Sequence, residues 1–176
     1  MAPGSDNERV PSRRDGTTRS RACSTPVVTE QTVVSSTREI AAPADRIFEL
    51  VADPARQPRW DGNDNLAHAA PGQRVHGTGE VFTTTLTLGT VRENRVVEFE
   101  EGRVIAWLPS EPGSPPPGHL WRWELDALGP GRTRVTHTYD WSDLTDANRL
   151  TRARATTADR LAASLDRLAE LAESSE

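Results

Sequence analysis

The chain has 176 residues, and its 21 basic against 26 acidic side chains leave a net charge of −5. That balance excludes the basic surface a phosphate-backbone binder requires, so no nucleic-acid partner is expected, and the length suits one domain with a sizeable core. No run approaches the roughly 18 apolar residues of a membrane span, and Cys23, the single cysteine, has no intrachain disulfide partner. A cytoplasmic protein is the expectation.

Mean hydropathy is low at −0.63, and the polar excess is concentrated at the start. Residues 1–25 hold Arg9, Arg13, Arg14, Arg19 and Arg21 among Ser, Thr, Gly and Pro, with no aromatic residue. Such a segment buries too little to offset its ordering entropy, which predicts a disordered leader over 1–25 and a folded domain over 26–174. Arg13-Arg14 lacks the apolar stretch of an export signal behind it.

Val27 to Ile40, rich in Val and Thr, predicts a long first strand. Ala41 to Asp45 then opens a helix, with Pro43 in its first turn and Asp45 complementing the dipole. Ala44, Ile47, Phe48 and Val51 share one face, and Asp53-Pro54 ends the run. A second short helical turn is expected from Pro54 to Trp60, with Trp60 packing the small helices and Asp61 and Asp64 in loop chemistry. Six further strands follow, near 65–69, 73–86, 90–100, 103–108, 119–128 and 133–141, joined by turns at Glu101-Gly102 and at Gly129 to Arg132. Consecutive strands of this kind make an antiparallel meander. Beyond Asp146 neither Gly nor Pro interrupts the pattern, and Leu150, Thr157, Leu161, Leu165 and Leu168 follow one stripe, so one long helix is predicted to the end.

Strand parity indicates what that stripe faces. Trp121, Trp123 and Leu125 alternate with Arg122, Glu124 and Asp126, and Val135, His137, Tyr139 and Trp141 alternate with Arg134, Thr136, Thr138 and Asp140. One face of the sheet is therefore aromatic and the other wet, and the C-terminal helix is the natural cover.

These residues carry a resemblance. The strand, the Ala42 to Pro54 helix (Ala-Pro-Ala-Asp-x-Ile-Phe-Glu-Leu-Val-Ala-Asp-Pro), Trp60, the stretch Val75-His76-Gly77-Thr78-Gly79, the meander and the terminal helix together look like the SRPBCC (START-like) superfamily. Within it, the polyketide cyclase/dehydrase and lipid transport branch is the most similar. The resemblance implies an α+β helix-grip fold: a curved seven-stranded antiparallel sheet wraps a long C-terminal helix, and two short helices follow the first strand. It also implies a deep cavity for a hydrophobic small molecule, with lipids, sterols, hormones, quinones or polyketides as ligands and aromatic ring formation as an activity of some members. Fold alone does not choose among these.

By parity, Phe82, Thr84, Leu86, Val97, Phe99, Ile105, Trp107, Trp121 and Trp123 line such a cavity, with Leu150, Thr157, Leu161 and Leu165 facing them from the helix. The plainer alternative is that they fill a core. His137 and Tyr139, two apart on one strand, project together; as a catalytic pair, His137 exchanges a proton with a polyketide enol and Tyr139 holds the carbonyl oxygen. Alternatively both are merely hydrogen-bonded. Glu93 and Arg95 share the parity of Val97 and Phe99, so either they point inward and grip a carboxylate or polar head group, or the strand bulges and both are solvated.

Other signals lead nowhere. Gly77-Thr78-Gly79 precedes strand alternation and no helix, so it seats no pyrophosphate. His68, His76, His119 and His137 lack metal-ligand spacing, Ser142 and Ser164 lack a nucleophile elbow, and the chain has no lysine for a Schiff base. No cofactor or metal is expected. The triple proline, Pro115 to Pro117, is expected in a connection that gates the cavity. The leading expectation is a binder of a hydrophobic small molecule; the alternatives are a cyclase or aromatase working by acid–base catalysis, and a protein-interaction module with a solid interior.

Overall fold

The computed structural model describes residue 1 and residues 30–174, and the chain divides into two units, of which the second, residues 31–176, carries the elements that follow. The expected leader, apart from Met1, lies outside the described residues. Seven strands form one antiparallel sheet in the order β1-β7-β6-β5-β4-β3-β2. They are β1 Val33–Ile40, β2 Leu66–His68, β3 Val81–Leu86, β4 Val91–Glu100, β5 Val104–Ser110, β6 Leu120–Gly129 and β7 Arg132–Asp140. Helices α1 Ala44–Ala52 and α2 Gln57–Trp60, linked by a tight turn over Pro54–Arg56, follow the first strand, and α3 Ala147–Arg154 and α4 Ala158–Glu173 close the chain. No helix among the described residues is long and apolar enough to cross a membrane.

Local chemistry accounts for the boundaries. Pro43 caps α1 in an extended conformation, one residue earlier than predicted, and Asp53 ends the helix while its carboxylate accepts from the Ala55 amide at 3.1 Å. Trp60 donates its indole N–H to the Leu50 carbonyl at 2.8 Å, which ties α2 to α1. Asp61 is buried and accepts from the amides of Asn63, Asn65 and Leu66, so one carboxylate organises the turn into β2. Gly62 lies against the backbone of α4, where a Cβ would clash with Ala163 and the Ser164 amide. Its own amide donates to Ser164 Oγ at 2.9 Å.

Three expected elements differ. The expected start of the first strand, at 27–29, lies outside the described residues, and among those described the strand begins at Val33; the stretch 73–80 is irregular, with β3 starting only at Val81. There Gln73 spends its side chain on the backbone of Ala70 and Thr83, giving the segment bonds a ladder would otherwise supply. The long terminal helix is broken between Arg154 and Ala158. Thr156 and Thr157 are adjacent β-branched residues; Thr156 bonds back to the Arg152 carbonyl, and Thr157 turns extended to start α4. Thr157 is consequently exposed, off the stripe it was expected to share.

The core fills one end of the concave face. Phe48 and Phe99 meet edge to face at 5.7 Å. Ile105, Leu125, Val135, Leu165 and Leu168 are buried around them. The convex face is wet, as the alternation predicts: Arg122 donates to Glu98 at 2.7 Å and to Glu124 at 2.6 Å.

Candidate functional site

The other end of the concave face is open. A cavity of about 640 Å³ lies there, bounded by β3 to β7, the α2–β2 turn and the last two helices. Its inner wall is an aromatic ladder on β6 and β7, whose register sets Trp121 opposite Tyr139 and Trp123 opposite His137. The two-residue turn between Gly129 and Arg132 holds that register. His137 stacks on Trp123 at 3.7 Å with 14° between planes, and Trp121 covers Tyr139 at 4.3 Å. Trp60 meets Trp123 edge-on at 4.9 Å, so it both packs the small helices and forms part of the cavity wall.

Within this apolar wall, polar atoms lack partners. Nδ1 of His137, Nε1 of Trp123 and Nδ1 of His119 are buried without a hydrogen bond. His137 does find the Leu161 backbone, and since Nδ1 is the orphan, the bonded nitrogen is Nε2. Burial drives the His137 pKa down to about 3, against a smaller upward pull from that bond. Flanking indole faces favour an imidazolium by about 2 kcal/mol, less than the cost of burying a charge without a counterion. The ring is neutral at physiological pH, with Nδ1 as an acceptor. Burial also raises Tyr139 to about 12, only partly offset by Arg152 and Arg149, so its phenol remains a donor. His119 is pushed down to about 4 by burial and by the charges of Arg149 and Arg92.

Of the residues expected to line a cavity, Thr84, Leu86, Trp107, Trp121, Trp123, His137 and Tyr139 do so. Phe82, Phe99, Ile105 and Leu165 belong instead to the filled core, Leu161 to a second cluster with Tyr139, Trp141 and Leu144, and Leu150 packs at that cluster's edge. Glu93, Arg95 and Val97 lie on the opposite face of the sheet. The cause is a bulge in β4 between Val96 and Glu98, which reverses parity: Asn94 and Val96 point inward before it and Phe99 after it. Adjacent Val96 and Val97 were the visible signal, since two consecutive valines already break alternation. The proline connection follows Glu93 and Arg95 to the outer face, where Pro115 and Pro116 line a separate groove of about 320 Å³ and Gly113 donates its amide to Glu93 at 3.2 Å. It does not gate the inner cavity.

The structure adds polar lining residues that parity did not reveal. Asn94, buried on β4, donates to Thr84 Oγ1 at 3.2 Å. Gln57 and Ser164, both buried, reach the cavity from α2 and α4. Arg92, Arg149, Arg152 and Thr156 reach it from β4, α3 and the turn behind α3. The spacing of Arg149 and Arg152, three apart on a helix, was the legible hint.

Sheet, terminal helix and concave pocket define a domain of helix-grip type, as similar solved structures bear out. The Zhui aromatase/cyclase from Streptomyces sp. R1128 is 21% identical with a TM-score of 0.54, and the match covers 80% of this chain and 93% of that one. DynU16, a protein of the dynemicin biosynthetic locus, is 21% identical with a TM-score of 0.58, over 82% of this chain and 48% of that one. The chain belongs to the polyketide cyclase / dehydrase and lipid transport family, whose model matches residues 31–173. The uncharacterized protein Rv0088 of Mycobacterium tuberculosis is 35% identical over 113 residues, 61% of this chain and 47% of that protein. The chain thus spans about half the length of the curated relatives it matches.

Proposed function

We propose that this domain binds a hydrophobic small molecule, aromatic or lipid-like, in the cavity between the β6–β7 ladder and the terminal helices. The observation that carries this reading is the pairing of an aromatic wall with unpartnered buried polar atoms, Trp123 Nε1 and His137 Nδ1, beside a cavity of about 640 Å³. Such a volume suits a small organic ligand, and an orphaned buried donor and acceptor cost free energy until a guest or water satisfies them. A solid interaction module would not leave this end of its interior open. Native mass spectrometry of freshly purified protein, together with tryptophan fluorescence on titration with the neutral probe N-phenyl-1-naphthylamine, tests it. Retained mass or a saturable fluorescence change is expected; no guest in the spectrum and no probe binding would refute it.

Likeness of fold to an aromatase/cyclase makes the cyclase reading the alternative. His137, neutral with a pKa of about 3, suits the role of hydrogen-bond acceptor better than that of proton shuttle, whereas Tyr139 retains the proton needed to hold a carbonyl oxygen. Turnover of a supplied polyketide that falls about 100-fold in His137→Gln, with binding unchanged, would favour the enzyme over the carrier.

A further inference from the structure

Four arginines, Arg92, Arg149, Arg152 and Arg160, border the cavity against three acids, Asp61, Glu111 and Asp146. Arg92 on β4 lies close enough to Arg149 and Arg152 on α3 that its pKa is lowered by burial first and then by Arg149, is raised in part by Glu111, and is lowered a little further by Arg152. Arg149 is neutralised, pairing with Glu111 at 2.7 Å and Asp146 at 3.3 Å. Those two acids are thereby engaged, and the other acid bordering the cavity, Asp61, accepts from three backbone amides of its own turn. Among the described residues neither Arg92 nor Arg152 has a carboxylate at ion-pair distance; the Arg92 side chain donates only to the Val91 carbonyl, at 3.3 Å. Arg160, at the start of α4, also borders the cavity and likewise has no carboxylate at ion-pair distance among the described residues, and guanidiniums without counterions beside a partly desolvated cavity repel one another unless an anion lies between them.

The helix that carries Arg152 points the same way. Within α3 only Ala153 is buried, so the helix contributes little to either core. The Thr156–Thr157 break separates it from α4, and Gly118, with φ of +106°, lets the chain pass directly against Asp143 and Leu144 just before it. A continuous terminal helix would not set Arg149 and Arg152 over the open end.

We infer that the ligand is an amphiphile with one anionic group, a carboxylate or a phosphate, held between Arg92 and Arg152 near the Tyr139 phenol, with its apolar body against the Trp121–Trp123 wall. The inference rests on the pocket reading above and specifies the class of ligand.

Two fluorescent probes that share one aromatic body test it: 8-anilino-1-naphthalenesulfonate, an anion, and N-phenyl-1-naphthylamine, which lacks the sulfonate. The anion is expected to bind about 10-fold more tightly. Arg152→Gln and Arg92→Gln each lower anion affinity by about 10-fold and change that of the neutral probe less than about 2-fold, while Arg152→Lys keeps most of it. Arg132→Gln, which removes a charge at the far hairpin, leaves both affinities unchanged. Dodecanoate and dodecyl phosphate displace the bound anion better than dodecanol, and whichever is stronger names the group. Equal affinity for the two probes, displacement by dodecanol equal to that by both acids, or an Arg132→Gln loss matching that of Arg152→Gln overturns the inference while leaving the pocket reading intact. Failure of both probes to bind, with no guest retained in the native mass spectrum, removes both.

Discussion

His137 is held neutral by its surroundings, and this has a thermodynamic signature. Its pKa is lowered to about 3 and that of His119 to about 4, against 6.5 when unfolded. Unfolding therefore takes up protons below the unfolded value: stability from these groups is full above pH 6.5 and is lost as pH falls toward the folded values. Each histidine contributes a slope of about 1.4 kcal/mol per pH unit where it is fully protonated only in the unfolded chain. His137→Gln is expected to reduce the slope by about that amount between about pH 5.5 and 4.5, measured by urea unfolding across pH. An unchanged slope would mean the imidazole is charged in the fold. The shared projection of His137 and Tyr139 was readable from their spacing of two. Their protonation states were not, because desolvation depends on which indoles lie against them.

At the level of elements, the sheet was legible wherever alternation ran unbroken. Five of the seven strands lie close to their expected positions, and the β6–β7 wall follows directly from Trp121, Trp123, His137 and Tyr139. Alternation failed at the β4 bulge, where one extra residue sends Glu93, Arg95 and Val97 to the outer face and brings Asn94 inward. It failed again at the terminal helix, since a Thr-Thr pair lacks the punctuation of Gly or Pro and breaks the helix through side-chain competition. Contact between the α2–β2 turn and α4 is equally a product of tertiary approach. Gly62→Ala would force a methyl into the α4 backbone and is expected to cost about 1–3 kcal/mol, read as a lower urea midpoint with the slope of the transition retained. A midpoint equal to the parent would show that α4 yields without cost.

At the scale of the whole molecule, both buried clusters draw their members, among the described residues, from Val34 onward. A chain beginning at Glu30 is accordingly expected to unfold within about 0.5 kcal/mol of the full chain by urea denaturation, and a larger loss would assign the first 29 residues a part in stability. The amino-acid sequence by itself determined the class of fold, because periods of two and 3.6, turn residues and an aromatic stripe are local properties that any compact solution must respect. Only the tertiary structure decided where the interior is filled and where it is open. That outcome depends on the bulge, the helix break and the side-chain volumes meeting across the sheet, and packing of this kind is a property of residues distant in the chain, not of their spacing along it.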